Sequence, residues 1–451
     1  MSKGPVVVIG GDAAGMSAAA KIRREQPERP IVVFERSPHT SYSACGIPYY
    51  IGGLVGHVDD LVARSPETFR QKYGIEARVH HEVVHIDVAR QRVRVRNLDG
   101  DVDFWEPYEE LLVATGAAPV WLDVPGNDAN GIYGLSTLAS GIAVHRHLDT
   151  EQPRKAVIVG GGYIGLEMAE ALVRRGLHVS LVDVASEVMG TLDRDMGRLV
   201  SAALRETGVA LYLEEAATGF ETASGRVSAV VTEVRTIAAD LVILGLGVRP
   251  NAGLARQAGV ALGDSGAIRV DDRMHTSLDG VWAAGDCAES FHRVSRRPVH
   301  IALGTVANKQ GLVAGTNLAG GHAVFPGVVG TAISKICGSE VARTGLREED
   351  CQALGFDGAA VTIESRTRAG YYPGAGPITV KLVGERGSGR LLGGQIVGSE
   401  GAAKRIDVVA TALTAGMSAQ DLVDLDLSYA PPFSPVWDPV QTAARQLVKR
   451  L

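Results

Sequence analysis

The 451-residue chain is poor in cysteine and aromatic residues and has no surplus of positive charge. Its four cysteines, Cys45, Cys287, Cys337 and Cys351, form no C-x-x-C pair and no cluster with histidine at metal-ligand spacing, so no metal site is expected. The same scarcity argues against a disulfide framework and makes a reducing cytoplasm the expected compartment. With 45 Lys+Arg against 51 Asp+Glu, the net charge of −6 gives no footprint for nucleic acid. No apolar run reaches the roughly 18 residues that a membrane span needs. The start of the chain lacks the charged and apolar regions of a signal peptide, so neither membrane nor secretion is expected.

What the chain has in abundance is glycine, 55 residues in 451, or about 12% against a usual ~7%. The glycines gather in turns beside apolar strands. Val6-Val7-Val8-Ile9 reads as a buried parallel strand, and Gly10-Gly11-Asp12-Ala13-Ala14-Gly15 as the turn into an Ala-rich helix. Against G-x-G-x-x-G the outer glycines are present and the middle one is Asp12. Ile31 to Phe34 supplies the next strand, ending at Glu35 and Arg36. Gly10 to Glu35 spans 25 residues, near the ~20 expected for a carboxylate that binds ribose. The turn would hold a pyrophosphate on backbone N–H groups. Ala114-Thr115-Gly116 follows a later strand and closes this first half-site. Between them, Glu76 to Trp105 alternates as a small antiparallel sheet does, with His80, His81 and His85 on a solvated face.

A second turn matches the fingerprint in full. Gly160-Gly161-Gly162-Tyr163-Ile164-Gly165 follows the strand Ala156–Val159, precedes a helix, and is answered by Asp183 at the end of the next strand. Asp183 would accept hydrogen bonds from a ribose diol and repel a 2′-phosphate. The residues after it, Val184-Ala185-Ser186-Glu187, include no arginine, which favours NADH while leaving NADPH possible. Two dinucleotide sites suggest an electron relay in which a nicotinamide gives hydride to a flavin. Gly247 and the pair Gly285-Asp286 return the chain to the first site, where Asp286 can bind polyol hydroxyls.

Cys45 lies about ten residues beyond the first strand pair, in Ser41-Tyr42-Ser43-Ala44-Cys45-Gly46-Ile47-Pro48-Tyr49-Tyr50. Pro48 suits the first turn of a helix. A cysteine at such a helix start is expected to gain thiolate character from the positive end of the helix field. Its position beside a dinucleotide turn makes it the candidate redox centre.

These residues, with the tail Tyr429-Ala430-Pro431-Pro432-Phe433-Ser434, resemble the two-dinucleotide-binding flavoprotein disulfide reductases along essentially the whole chain. Within them the single-cysteine coenzyme A (CoA) disulfide reductase branch is the nearest likeness. The resemblance implies an α/β protein: two Rossmann-like domains, for FAD and NAD(P), and an α+β C-terminal dimerisation domain. The implied limits are 1–119 with 249–321 for FAD, 120–248 for NAD(P)H and 322–451 for dimerisation. It implies Cys45 as nucleophile and CoA contacts at Ser17, Lys21, Arg24, Ser41, Ala44 and Lys72, with Trp437 near the substrate channel. It also implies a homodimer whose partner completes each active site, with Tyr371, Tyr372 and Tyr429 as family tyrosines. A phenol there could donate to sulfur, while one of Tyr371 and Tyr372 is expected to be core packing. Dithiol reductases carry C-x-x-x-x-C, and position 50 here is Tyr50. The implied reaction is NAD(P)H-driven reduction of a CoA disulfide or persulfide through a mixed disulfide on Cys45. The alternative is an NADH oxidase or peroxidase that cycles Cys45 through sulfenic acid. Those relatives usually carry histidine where this chain has Ala13. A flavin-bearing redox sensor is a further alternative of another class.

Overall fold

The computed structural model describes residues 4–451. Three sheets carry the architecture. In the first, five parallel strands run in the order Val281–Ala283, Glu110–Val113, Val6–Ile9, Ile31–Phe34, Glu76–Arg78. Its central strands are short runs of Val, Ile and Phe, buried on both faces, as a covered parallel sheet requires. The helix Ala13–Glu25 packs against the helix Gly304–Leu318. Small residues let the backbones nearly touch: a Cβ on Gly311 would lie 2.3 Å from the Ala14 carbonyl oxygen. The strands His81–Asp87, Arg92–Asn97 and Val102–Pro107 form the expected antiparallel patch. Glu76–Arg78 does not join it. Ala77 is fully buried beside Val33, so this segment extends the parallel sheet instead.

The second sheet repeats the plan, with parallel order Ala210–Leu213, His178–Asp183, Lys155–Val159, Leu241–Leu244, Ile132–Gly134. Ala117–Pro119 pairs antiparallel with Val248–Pro250. This two-stranded link fixes where the chain leaves the first unit and where it returns. The third sheet is antiparallel, in the order Ala332–Ile336, Ser339–Gly345, Leu391–Gly398, Pro377–Glu385, Gly358–Arg366. Helices Ile406–Ala415 and Pro439–Val448 cover it, with Leu392, Ile396, Val409 and Leu447 fully buried between them. The mixed α/β and α+β composition matches the sequence expectation. No described helix is long and apolar enough to cross a membrane.

A buried cation joins the second and third units. Lys381 Nζ, on the third sheet, lies 3.1 Å from Asp193, 2.9 Å from Asp195 and 3.0 Å from Glu348. Asp193 and Asp195 flank the start of the helix Arg194–Glu206 of the second unit. Burial opposes the charge on Lys381, but its hydrogen bonds to Asp195 and Glu348 prevail and raise its pKa. Burial likewise opposes ionisation of Asp195, and the Lys381 hydrogen bond and charge override it to lower that pKa. Lys381→Met leaves the buried Asp193 carboxylate without its cation, while Asp195 and Glu348 are partly solvated, and should destabilise the fold by about 2–3 kcal/mol. Chemical denaturation of the two proteins checks this. A depressed carboxyl contributes stability above its unfolded pKa of about 4 and loses it as pH falls through the folded value. The wild-type advantage over the variant should therefore shrink on acidification below about pH 4.

Candidate active site

The first glycine turn closes against the sheet. Gly10 has φ +109°, and a Cβ there would lie 2.1 Å from the Ala114 carbonyl oxygen. A Cβ on Gly15 would lie 2.0 Å from Gly10 oxygen, which holds the helix start tight against the turn. Glu35 Oε2 accepts from Gly11 N at 2.8 Å, and Oε1 accepts from Ser37 N at 2.8 Å. The acid at the strand end is thus fixed beside the turn, where it can accept from a ribose. Arg36 is exposed and faces Glu82 at 3.9 Å. Thr115 and Asn251 hold each other across the two-stranded link: Thr115 Oγ1 donates to Asn251 O at 2.7 Å, and Asn251 Nδ2 donates to Thr115 O at 2.9 Å. Gly116 and Gly247, both with positive φ, leave open space around that link.

Gly285, at φ +84°, sets Asp286 at the end of its strand. Gln310 holds this corner: its Oε1 accepts from Gly285 N at 2.8 Å, and its Nε2 donates to Glu289 O at 3.1 Å. Asp286 Oδ1 is buried and has no hydrogen-bond partner in the protein. Burial pushes its carboxyl up, partly offset by His300. An orphaned buried acceptor of this kind fits a hydroxyl donor supplied from outside the chain.

Cys45 lies in a short 3-10 turn, Ala44–Gly46, that runs into the five-residue helix Ile47–Ile51 with Pro48 in its first turn. Gly46 packs closely on Leu61: a Cβ there would lie 2.3 Å from Leu61 Cδ2, so that side chain would have to shift. Two bonds tie the segment to the first glycine turn: Ser41 N donates to Gly11 O at 2.9 Å, and Tyr42 N to Asp12 Oδ1 at 3.1 Å. Cys45 is an exposed free thiol, and the other three cysteines are also unpaired. The expected thiolate stabilisation is not found. Solvent reaches the residue, yet desolvation by surrounding protein is the largest influence on the sulfur, and Glu167, Asp286 and Asp12 add negative potential; all raise its pKa. A five-residue helix has too small a dipole to offset that desolvation.

The second turn copies the first. Gly160 has φ +102°, and a Cβ on Gly165 would lie 2.1 Å from Gly160 oxygen. Asp183 accepts from Gly161 N at 2.5 Å and from Ala185 N at 2.8 Å. Gly162 is unobstructed, with Gly245 oxygen the nearest atom to a Cβ at 3.5 Å. Tyr163 and Ile164 open the helix Tyr163–Arg174 and pack on the largest apolar cluster. Further along, Glu167 Oε1 accepts from Ser334 Oγ at 2.7 Å and Glu170 Oε2 from Cys337 N at 2.8 Å, joining this helix to the third sheet. Burial pushes the Glu167 carboxyl up, with Ser334 opposing.

Sequence reasoning missed Glu167, although it lies two residues beyond the fingerprint and is a principal charge acting on Cys45. It missed Gln310 as well. Neither carries a spacing signal, since each acts through a fold contact distant in sequence.

The remaining candidates fall in two places. Ser17, Lys21 and Arg24 share the Ala13–Glu25 helix: Ser17 Oγ donates to Asn308 at 2.7 Å, Lys21 pairs with Glu25 at 2.6 Å, and Arg24 is exposed. Arg23 Nη2 donates to Gly74 O at 2.6 Å, which brings the end of the Pro66–Tyr73 helix, with exposed Lys72, beside them. Ala44 is exposed beside Cys45, and Ser41 holds an unusual φ of +49°. Tyr371, Tyr429 and Trp437 lie exposed on the C-terminal unit, where the Tyr371 phenol acts on that of Tyr429 and Arg445 stacks over the Trp437 ring at 4.4 Å. Tyr371 is 78% exposed and Tyr372 36%, so the expectation that one of them is core packing is wrong for this chain. Both follow the turn after Gly358–Arg366, outside the sheet's covered face. Arg405 shapes this surface: it donates to Asp438 at 2.9 Å and to Phe433 O at 2.7 Å.

A family model described as pyridine nucleotide-disulphide oxidoreductase matches residues 4–311, and the dimerisation domain of the same family matches residues 331–439. The chain belongs to that family. Over 446 residues it is 40% identical to an NAD(P)H sulfur oxidoreductase (CoA-dependent) of Pyrococcus abyssi, covering 99% of this chain and 98% of the other. An NADH oxidase of Methanocaldococcus jannaschii is 34% identical over 449 residues, covering 99% of each. Among solved structures, an NAD-dependent persulfide reductase from A. fulgidus superposes with a TM-score of 0.96 at 39% identity, covering 99% of this chain and 83% of that one.

As a pyridine nucleotide-disulphide oxidoreductase the chain is an enzyme that works with FAD and NAD(P)H. Its residues fit both groups. The first site offers a glycine turn closed against the Ala114 carbonyl, a strand-end carboxylate at Glu35 and an orphaned acceptor at Asp286. The second offers an open backbone at Gly162 and a carboxylate at Asp183.

Proposed function

We propose that the chain is an NAD(P)H-dependent reductase of CoA disulfide or CoA persulfide in which Cys45 is the single redox thiol. The observation that carries the reading is an exposed, unpaired cysteine on a segment hydrogen-bonded to the first dinucleotide turn. FAD, when bound, accepts hydride from NAD(P)H and passes two electrons on. The Cys45 thiolate attacks one sulfur of the disulfide, forms Cys45–S–S–CoA and expels the other half as a CoA thiolate. Two electrons and a proton then cleave the mixed disulfide, returning Cys45 and releasing the second CoA thiol. The balance is NADH + H⁺ + CoA–S–S–CoA → NAD⁺ + 2 CoA–SH; with a persulfide the products are CoA–SH and H₂S.

Lys21, Arg24 and Lys72 form a basic rim suited to CoA phosphates, with Ser17, Ser41 and Ala44 along the approach. Tyr371, Tyr372, Tyr429 and Trp437 present an exposed aromatic surface, which suits delivery to Cys45 of a second copy in a homodimer. The unpaired cysteines suit the cytoplasm.

The raised Cys45 pKa sets the pH dependence: disulfide attack should quicken as pH climbs through the alkaline side of the ordinary thiol range. NADH is the favoured nucleotide. Asp183→Ala removes the ribose acceptor and should raise KM for NADH by roughly tenfold with little effect on NADPH, narrowing the preference. Steady-state kinetics with each nucleotide check it.

Likeness to the M. jannaschii NADH oxidase supports a second reading, sulfenic-acid cycling on Cys45. One kinetic panel separates the two: NADH consumption with CoA disulfide, CoA persulfide, peroxide and oxygen. The main reading requires the CoA substrates to be turned over fastest. Faster consumption with peroxide or oxygen would replace it with the second.

A further inference from the structure

We propose that Asp12 is a positioning residue whose carboxyl fastens the cysteine segment to the first glycine turn, so that the phosphate cradle and Cys45 hold one fixed relation. This rests on the reading of Cys45 as the redox thiol.

The starting point is an anomaly. The middle position of a dinucleotide fingerprint is ordinarily glycine, because the pyrophosphate approaches the backbone there. The second turn obeys this with Gly162; the first has Asp12. A carboxylate facing a pyrophosphate would repel it. The structure turns the side chain elsewhere. Asp12 occupies the N-cap position of the Ala13–Glu25 helix at φ −113°, ψ −149°, yet makes no side-chain cap bond. An aspartate at that position usually accepts from the N–H groups of the first turn. Here Asp12 Oδ1 accepts from Tyr42 N at 3.1 Å, and the backbone N–H of Ala13 also acts on the carboxyl.

The bond lies where it matters most. It falls three residues before Cys45, beside the backbone bond from Ser41 N to Gly11 O. Ser41 sits at φ +49°, a conformation that costs a non-glycine residue energy and persists only when its surroundings enforce it. The far side of the segment is held by backbone bonds: Ser43 N donates to Leu61 O and Ala63 N to Ser41 O, each at 2.8 Å. Among the described residues, Asp12 supplies the side-chain link between turn and segment. The groups that face it are Glu35, Asp286 and Tyr42, and burial with those two carboxylates pushes its carboxyl up to about 7. Either protonation state keeps an oxygen that can accept the Tyr42 N–H, so the fastening does not require the charge.

The test separates fastening from charge with two variants. Asp12→Asn keeps an acceptor oxygen and loses the charge; Asp12→Ala loses both. In flavin-loaded protein, amide hydrogen exchange over residues 41–51 should rise about tenfold in Asp12→Ala and stay native in Asp12→Asn. The ratio of the CoA-disulfide step to NADH-driven flavin reduction should fall about tenfold in Asp12→Ala and be restored by Asp12→Asn. Should Asp12→Ala not retain flavin, exchange is compared among the apo forms of all three proteins. Equal behaviour of the two variants, or native exchange in Asp12→Ala, overturns the proposal. Full CoA-disulfide turnover in Cys45→Ser would instead remove the reading on which it rests, and leaves the exchange comparison intact.

Discussion

Cys45→Ser should bleach its flavin with NADH as the wild type does and lose CoA-disulfide turnover by ~10³-fold or more. A serine hydroxyl cannot exchange with a disulfide, and no other thiol in the chain is placed to take over. Cys287 is fully buried in the first unit, where its thiol contacts the Val113 and Ala284 carbonyls. Cys351 is buried under the third sheet, and burial with nearby carboxylates pushes its thiol up to about 12. Cys337 is half-buried, bonded to Thr207 at 3.3 Å, and also pushed up, chiefly by burial. Stopped-flow reduction at the flavin band, paired with thiol release from CoA disulfide, reads both halves in one preparation. Thiol release near the native rate in the variant would show that sulfur chemistry runs without Cys45. Loss of flavin reduction as well would place Cys45 in the hydride step rather than the disulfide step.

Most of this site was legible because its parts announce themselves locally. A buried strand, a glycine turn, a helix and a strand-end acid recur in order twice, and each component is dictated by short-range sterics. Gly10 and Gly160 stand at positive φ against the carbonyls of Ala114 and Gly245, a demand that leaves glycine in the sequence whatever surrounds it. The direction of the Cys45 shift is not legible locally, for the opposite reason. A helix field is a local inference, whereas the desolvation of the sulfur and the carboxyls of Glu167, Asp286 and Asp12 come from other parts of the chain. Strands escaped notice where packing rather than propensity selects them. Leu391–Gly398 contains Gly393, where a Cβ would lie 2.0 Å from the Leu346 carbonyl oxygen. The glycine that weakens the strand signal is the residue that lets the strand lie there. Glu76–Arg78 looked like part of the polar antiparallel patch because only Ala77 among its residues is buried.

The same steric logic gives the second large effect. Gly10→Ala adds one methyl group to a residue at φ +109°, where it would lie 2.1 Å from the Ala114 carbonyl oxygen. Ala114 N donates to Ile9 O at 2.8 Å, so the carbonyl cannot retreat without disturbing the junction of the two central strands. Nor can the turn swing the other way, because the Gly15 backbone rests on Gly10 oxygen. The methyl group therefore opens the turn that would hold the pyrophosphate. Destabilisation of the first unit by at least about 2 kcal/mol is expected, with the protein purifying largely free of flavin. Gly162→Ala is the matched control. Its φ is −80°, and the nearest atom to the added Cβ is 3.5 Å away. It should keep its flavin and its thermal stability, and raise KM for NADH by crowding the open backbone of the second turn. Flavin absorbance per protein, thermal unfolding and nucleotide KM distinguish the two. A flavin-replete Gly10→Ala would mean that the first turn can relax around a side chain, and that its glycine is not what shapes the cradle.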